Sequence, residues 1–159
     1  MNFEKAFDIL LGHERGFVDH PKDPGGATRY GITQRVARKY GYHGDMRDLP
    51  LSKAKLIARA AYWDEVEADF MPDAIRFDLF DGAYNSGPVQ ATKWLQRAAG
   101  VGDDGIIGPK TLAAVRAADP QKLAKRYNGL RLMFLTDLGT WPTFGRGWAR
   151  RVAHNLLGS

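Results

Sequence analysis

The sequence predicts a mainly α fold, α+β in detail, with one small β-hairpin. Three observations predict it. Apolar residues recur at helical spacing through most of the 159 residues. Helix-starting and helix-stopping residues punctuate the chain repeatedly. Only residues 17 to 33 combine turn chemistry with short strand-like runs. With 44% hydrophobic residues, the chain is predicted to be a single domain, 1–159, able to bury its own core.

Each element follows from local chemistry. Asn2 is placed to cap a first helix, with Glu4 in its first turn where the helix dipole favours an acid. Phe3, Phe7, Leu10 and Leu11 give that helix its core face. It ends at Gly12 or continues to Gly16, and in the second case Glu14 lies in its last turn. Pro21 and Pro24 then forbid helix, and the run DPGG is turn chemistry. Phe17-Val18 and Thr28 to Ile32 are the predicted hairpin strands.

Thr33 is expected to cap QRVARKY, closed by Gly41. Ser52 is expected to cap KAKLIARAAYW, and Asp73 to cap AIRFDLFDGAYNS, closed by Gly87. Pro88 opens VQATKWLQRAA, which Gly100 ends. GVGDDGIIGP reads as a loop, with Gly108-Pro109 starting the next helix. Asp119-Pro120 starts a longer one that stops at Gly139, and the last helix spans Phe144 to Leu157.

Composition narrows the chemistry. Without cysteine, disulfides and Cys-ligated metals are excluded. The formal net charge of +5 favours a polyanionic partner: nucleic acid, an anionic lipid surface or the acidic bacterial cell wall. No Lys/Arg cluster with interleaved aromatics marks a nucleic-acid footprint, so no nucleic-acid partner is expected. No apolar run approaches the roughly 20 residues that span a bilayer. MNFEKAFDILLGHE carries Glu4, Lys5 and Asp8 where a signal peptide would be apolar, and no small-residue cleavage site follows.

The segment GHERGFVDHPKDPGGATRYGIT, Gly12 to Thr33, holds the candidate chemistry. Hydrolysing a glycosidic bond needs a carboxylic acid still protonated near neutral pH, to protonate the departing oxygen. A helix end in a cleft can hold such a group, and burial raises a Glu pKa by ~2 units. A facing wall must then position water or stabilise positive charge on the sugar. Glu14 fits the first role, and the hairpin offers Asp19, Asp23 and Thr28 for the second. Taken alone, these residues are weak evidence: a Glu at a helix end is usually a solvated carboxylate, Asp23 before Pro24 is a good turn former and Thr28 reads as a strand residue.

The order of motifs goes further. GHERGFVDHPKDPGGATRYGIT resembles the signature of glycoside hydrolase family 108, N-acetylmuramidases of phage endolysins and related bacterial lysins. AAYWDEV (Ala60 to Val66) resembles the family's Tyr-Trp segment, and FDLFDGAYNSGP (Phe77 to Pro88) its Asp-x-x-x-Asn-Ser-Gly-Pro motif. WLQRAAGVGDDGIIGPKTL (Trp94 to Leu112) is similar to its helical peptidoglycan-binding segment, so residues 88–157 are expected to form such a part within the same unit. Arg15 stands where the family commonly has glycine, and Phe17 where it has tyrosine.

The resemblance implies a lysozyme-like helical domain with the hairpin at the active-site cleft. It implies a peptidoglycan hydrolase cleaving the bond from N-acetylmuramic acid to N-acetylglucosamine, leading to lysis, with Glu14 as general acid. By analogy with phage-type lysozymes, Asp23 or Thr28 handles the water. A lytic transglycosylase acting on the same bond and a non-catalytic wall-binding module are the alternatives. The expected partner is peptidoglycan, the expected state a monomer, and no cofactor or metal is called for. The expected location is the host cytoplasm on synthesis, then the periplasmic wall after release by a holin-like route.

Other residues have two readings each. Asp78, Asp81 and Asn85 fall at i, i+3 and i+7 on one helix face. They are a polar stripe or buried hydrogen bonds, or else Tyr84 and Asn85 line the sugar cleft and Asp81 orients them. Tyr30, Tyr62 and Trp63 stack on sugar or sit in the core, with Tyr30 the best candidate for substrate. The spacing of His13 and His20 supports no known metal site. The last helix sets Arg146, Arg150, Arg151 and His154 against Trp148, Val152 and Leu156. Such a basic amphipathic helix can engage an anionic outer-membrane surface, although its apolar side is expected to pack in the core.

Overall fold

A computed structural model describes residues 1–13, 16–22 and 25–158. Helix α1 spans Phe3–His13, and Asn2 caps it by accepting the Lys5 amide at 3.0 Å. Three two-residue strands follow: β1 (Phe17–Val18), β2 (Thr28–Arg29) and β3 (Ile32–Thr33). They form one antiparallel sheet in the order β1-β2-β3. Val18 pairs with Thr28, and Thr28 in turn with Thr33.

The expected second strand, Thr28 to Ile32, is therefore two strands with a turn between them. Tyr30 and Gly31 have φ of 54° and 77°, which suits a two-residue hairpin turn whose twist matches the flanking strands. Tyr30 pays a steric cost there that glycine avoids. The Tyr84 hydroxyl donates to the Tyr30 carbonyl at 2.9 Å and so pins the turn to a helix far along the chain.

Thr33 caps α2 (Gln34–Lys39), its hydroxyl accepting the Val36 amide at 3.2 Å. Helix α3 (Leu51–Ala58) starts one residue before Ser52, because extended Pro50 takes the cap position. It continues as a π-turn over Arg59–Trp63. Helix α4 (Asp73–Ser86) likewise has Pro72 rather than Asp73 at its cap. Asp73 instead pairs with the amino terminus and with Arg76.

Helices α5 (Pro88–Ala99), α6 (Pro109–Ala117) and α7 (Pro120–Thr136) start at the expected prolines. Asp119 caps α7 by accepting the Lys122 amide at 2.8 Å. The last helix, α8 (Trp141–Gly158), starts three residues earlier than Phe144. Pro142 falls in its first turn, where a missing amide costs nothing.

Helix α4 is the centre of the molecule and is buried on nearly every side from Asp78 to Tyr84. It packs on α1, α5 and α7, and α7 in turn carries α8. One aromatic cluster joins its upper half to α1 and to the π-turn. Trp63 lies 5.5 Å from Phe3 and 5.3 Å from Phe80, both edge-on. Trp63 is wholly buried and Tyr62 nearly so, so the core reading holds for both. None of the described helices is long and apolar enough to cross a membrane.

Candidate active site

Four elements converge on an open cleft of about 550 Å³. Gly12 and His13 bring the end of α1 to it, and Val18, Thr28, Gly31 and Thr33 form its sheet wall. Tyr84 and Asn85 come from the end of α4. The opposite wall is one face of α8, with Phe144, Trp148 and Arg151. These recur at i, i+4 and i+7, the spacing that lines up side chains along a helix.

The hairpin and α8 also touch across one end of the cleft. The His20 ring meets Phe144 edge-on at 5.2 Å, and the Lys22 ammonium donates to the Thr143 hydroxyl at 3.2 Å. Phe144 and Trp148 lie 5.7 Å apart, ring to ring. The start of α8 is thereby anchored to the loop after β1.

Of the catalytic and sugar-binding candidates named from the sequence, Thr28, Tyr84 and Asn85 meet in this cleft. Glu14 and Asp23 lie outside the described residues, as does Arg15. In sequence Glu14 follows His13, which lines the cleft. Thr28 donates through its hydroxyl to the Val18 carbonyl at 3.4 Å. Tyr30 lies beside the cleft: the sheet wall takes Gly31, while the Tyr30 ring lies under the Arg29 guanidinium at 4.9 Å.

Of the two readings for Asp81, the structure shows buried hydrogen bonds rather than a residue that orients Tyr84 and Asn85. Asp81 is fully buried and binds neither Tyr84 nor Asn85 through any hydrogen bond described. Its Oδ2 accepts from Arg131 at 2.7 Å and from Asn155 at 2.9 Å. Its Oδ1 accepts from Arg151 Nε, also at 2.7 Å. Burial alone would raise its pKa, and that is the largest single effect. Arg151 and Arg131 together outweigh it and hold the carboxyl well below the usual carboxylate range.

The consequence reaches the cleft. Arg151 sits on the α8 face that lines it, and a carboxylate in the core fixes the base of its guanidinium. Arg151 belongs to a buried ion pair rather than to a basic surface stripe. Arg150, His13 and His154 lie beside it. The charged groups among the described lining residues are therefore basic, which suits an anionic polymer. Arg151, Trp148 and His154 were not singled out as cleft residues from sequence. The i, i+4, i+7 face of α8 was the signal available, but only packing shows which way that face points.

A second organised feature lies after α5. The side-chain nitrogen of Gln96, nearly fully buried, has three acceptors within reach of its two N–H groups: Asp104 at 2.8 Å, the Ile106 carbonyl at 2.9 Å and the Thr111 hydroxyl at 3.0 Å. The Gln96 side-chain carbonyl accepts the Gly105 amide at 2.9 Å. One amide side chain thus ties the GVGDDGIIGP loop to two helices. Gln96, Asp103, Asp104, Lys110 and Thr111 border a concavity of about 500 Å³.

A helical body with a small antiparallel sheet at the rim of an open polar cleft is a lysozyme-like architecture. Residues 7–87 match the family described as glycosyl hydrolase 108, and the chain belongs to that family. Residues 90–153 match a second family, described as a predicted peptidoglycan domain. The solved structure of Brucella abortus SagA is 41% identical. It covers 98% of this chain and 91% of its own, with a TM-score of 0.90. A curated relative, the N-acetylmuramoyl-L-alanine amidase CwlL of Bacillus licheniformis, is 41% identical over 61 residues. That match spans 38% of this chain and 17% of the relative's length.

Proposed function

We propose that the protein is a peptidoglycan hydrolase of the muramidase type, cleaving the glycosidic bond from N-acetylmuramic acid to N-acetylglucosamine. The observation that carries this reading is the convergence of Gly12-His13, Thr28, Tyr84-Asn85 and the α8 face on one basic-lined cleft, in a chain of the glycosyl hydrolase 108 family. Glu14, the next residue in the chain, serves as general acid and protonates the departing sugar oxygen. Asp23 and Thr28 serve on the water side. Asn85 and Tyr84 hold the sugar, and Trp148 offers it an aromatic face. Arg150 and Arg151 attract the carboxylates of the wall polymer. Residues 90–153 hold the polymer, which supports processing of an insoluble substrate. The protein reaches the periplasmic wall after release from the cytoplasm.

Glu14→Gln tests the mechanism. The variant is expected to fold normally and to lose about 10²–10⁴-fold in wall-clearing rate, the usual contribution of a general acid. A folded variant with full activity would overturn the assignment. The amidase name of the curated relative points to a different bond, and the products separate the two. Glycosidic hydrolysis releases reducing sugar ends, whereas amide cleavage releases new amino groups. A sugar end lighter by one water would instead identify a transglycosylase.

A further inference from the structure

The cleft has a neighbour. His13 and His154, with ring centroids 5.7 Å apart, line the cleft on one side and a second cavity of about 580 Å³ on the other. The walls of this cavity are mostly apolar: Ile9 of α1, Pro72 at the cap of α4, Phe77 of α4, and Pro120 of α7. Two carboxylates also line it. Asp73 at the rim is already paired with the amino terminus and Arg76. Asp78 is only 4% exposed. Its Oδ2 accepts from Asn128 at 2.7 Å, and no described residue donates to its Oδ1.

This carboxylate lacks the compensation its neighbour has. Both buried arginines, Arg131 and Arg151, bind Asp81, one helical turn away on α4. Burial pushes the Asp78 carboxyl up to about 6, partly offset by the Asn128 hydrogen bond. A nearly buried acid facing an apolar cavity gains most from a ligand that brings its own positive charge.

We propose that this cavity is a subsite for the peptide stem of the wall polymer, taking an aliphatic side chain that ends in an ammonium, with Asp78 as its counter-ion. The proposal rests on the reading of the cleft as a peptidoglycan site, because a stem leaves the sugar chain at muramic acid. The apolar walls match methylenes, and the nearly buried Asp78 carboxylate among them matches the terminal amine of a diamino acid. The shared His13–His154 partition places that pocket beside the bound glycan. The subsite makes the enzyme prefer glycan strands that still carry amine-bearing stems.

Two measurements test it. The first titrates an alanyl-glutamyl-lysine tripeptide into the intact protein, followed by backbone amide NMR. Shifts are expected around residues 72–78 and at His154, at least about tenfold weaker binding with the ε-acetylated tripeptide, and the same loss in Asp78→Asn. That substitution keeps an acceptor for Asn128 while removing the charge. The second compares kcat/KM on intact wall and on stem-stripped glycan. Asp78→Asn and the cavity-filling Ala74→Trp are each expected to lower that ratio about tenfold. Equal binding of free and acetylated tripeptide, or an unchanged ratio in both variants, overturns the subsite. Tripeptide binding by a protein that cleaves no glycan would keep the subsite and overturn the hydrolase reading instead.

Discussion

Two aspartates one turn apart on α4 titrate in opposite directions, and the difference is which arginines reach them. Asp78 has a folded pKa raised from 3.8 to about 6. The folded state then binds the proton more tightly than the unfolded state, so the contribution of Asp78 to stability is greatest at low pH and falls as pH rises from about 4 to about 6. The shift corresponds to about 3 kcal/mol at 1.36 kcal/mol per unit. Asp78→Asn is therefore expected to be more stable than the parent at pH 7, with the two converging below about pH 4, as read by urea midpoints across pH. For Asp81 the sign reverses. Its depressed pKa contributes stability above the usual carboxylate range, lost as pH falls through the folded value. Asp81→Asn leaves two buried guanidinium groups without their carboxylate and is expected to cost about 3–5 kcal/mol at pH 7, measured by the same denaturation.

At the scale of elements, α4 is held by close approach to α7 as much as by charge. A methyl group on Gly82 would overlap the hydroxyl of Tyr127, which is fully buried between α4 and Trp94. Gly82→Ala is expected to destabilise by about 1–3 kcal/mol through overpacking, despite its better helix propensity. Thermal unfolding gives the sign, and an unchanged or raised Tm would mean that the helices separate freely there. The caps behaved as local chemistry dictates at Asn2, Thr33 and Asp119, where a short polar side chain faces its own helix amides. Ser52 and Asp73 failed as caps for one reason: each has a proline just upstream, whose extended backbone sets the boundary first. The hairpin was legible from DPGG and its flanking strands. The second turn at Tyr30-Gly31 was not, because it puts a tyrosine at positive φ, and the hydrogen bond that pins it comes from Tyr84, distant in sequence.

For the whole molecule, the net charge of +5 and the basic lining of the cleft make binding to an anionic wall sensitive to salt. Screening shortens from about 10 Å at 0.1 M to about 3 Å at 1 M ionic strength. Pull-down on purified wall is expected to weaken severalfold over that range, and salt-independent binding would show that charge plays no part. The motifs and their order, by themselves, determined the helical class, most element starts, the hairpin and the choice of Glu14, Thr28, Tyr84 and Asn85 as candidates. Those properties are local or sequential: caps, prolines, periodicity and spacing. Tertiary structure alone decided that Trp63 belongs to the core, that Asp81 serves Arg131 and Arg151, and that the face of α8 closes the cleft. It also decided that Asp78, three residues from Asp81 and alike in sequence, looks into a cavity. Which face of a helix meets which neighbour depends on packing between distant segments, and no single segment carries that information.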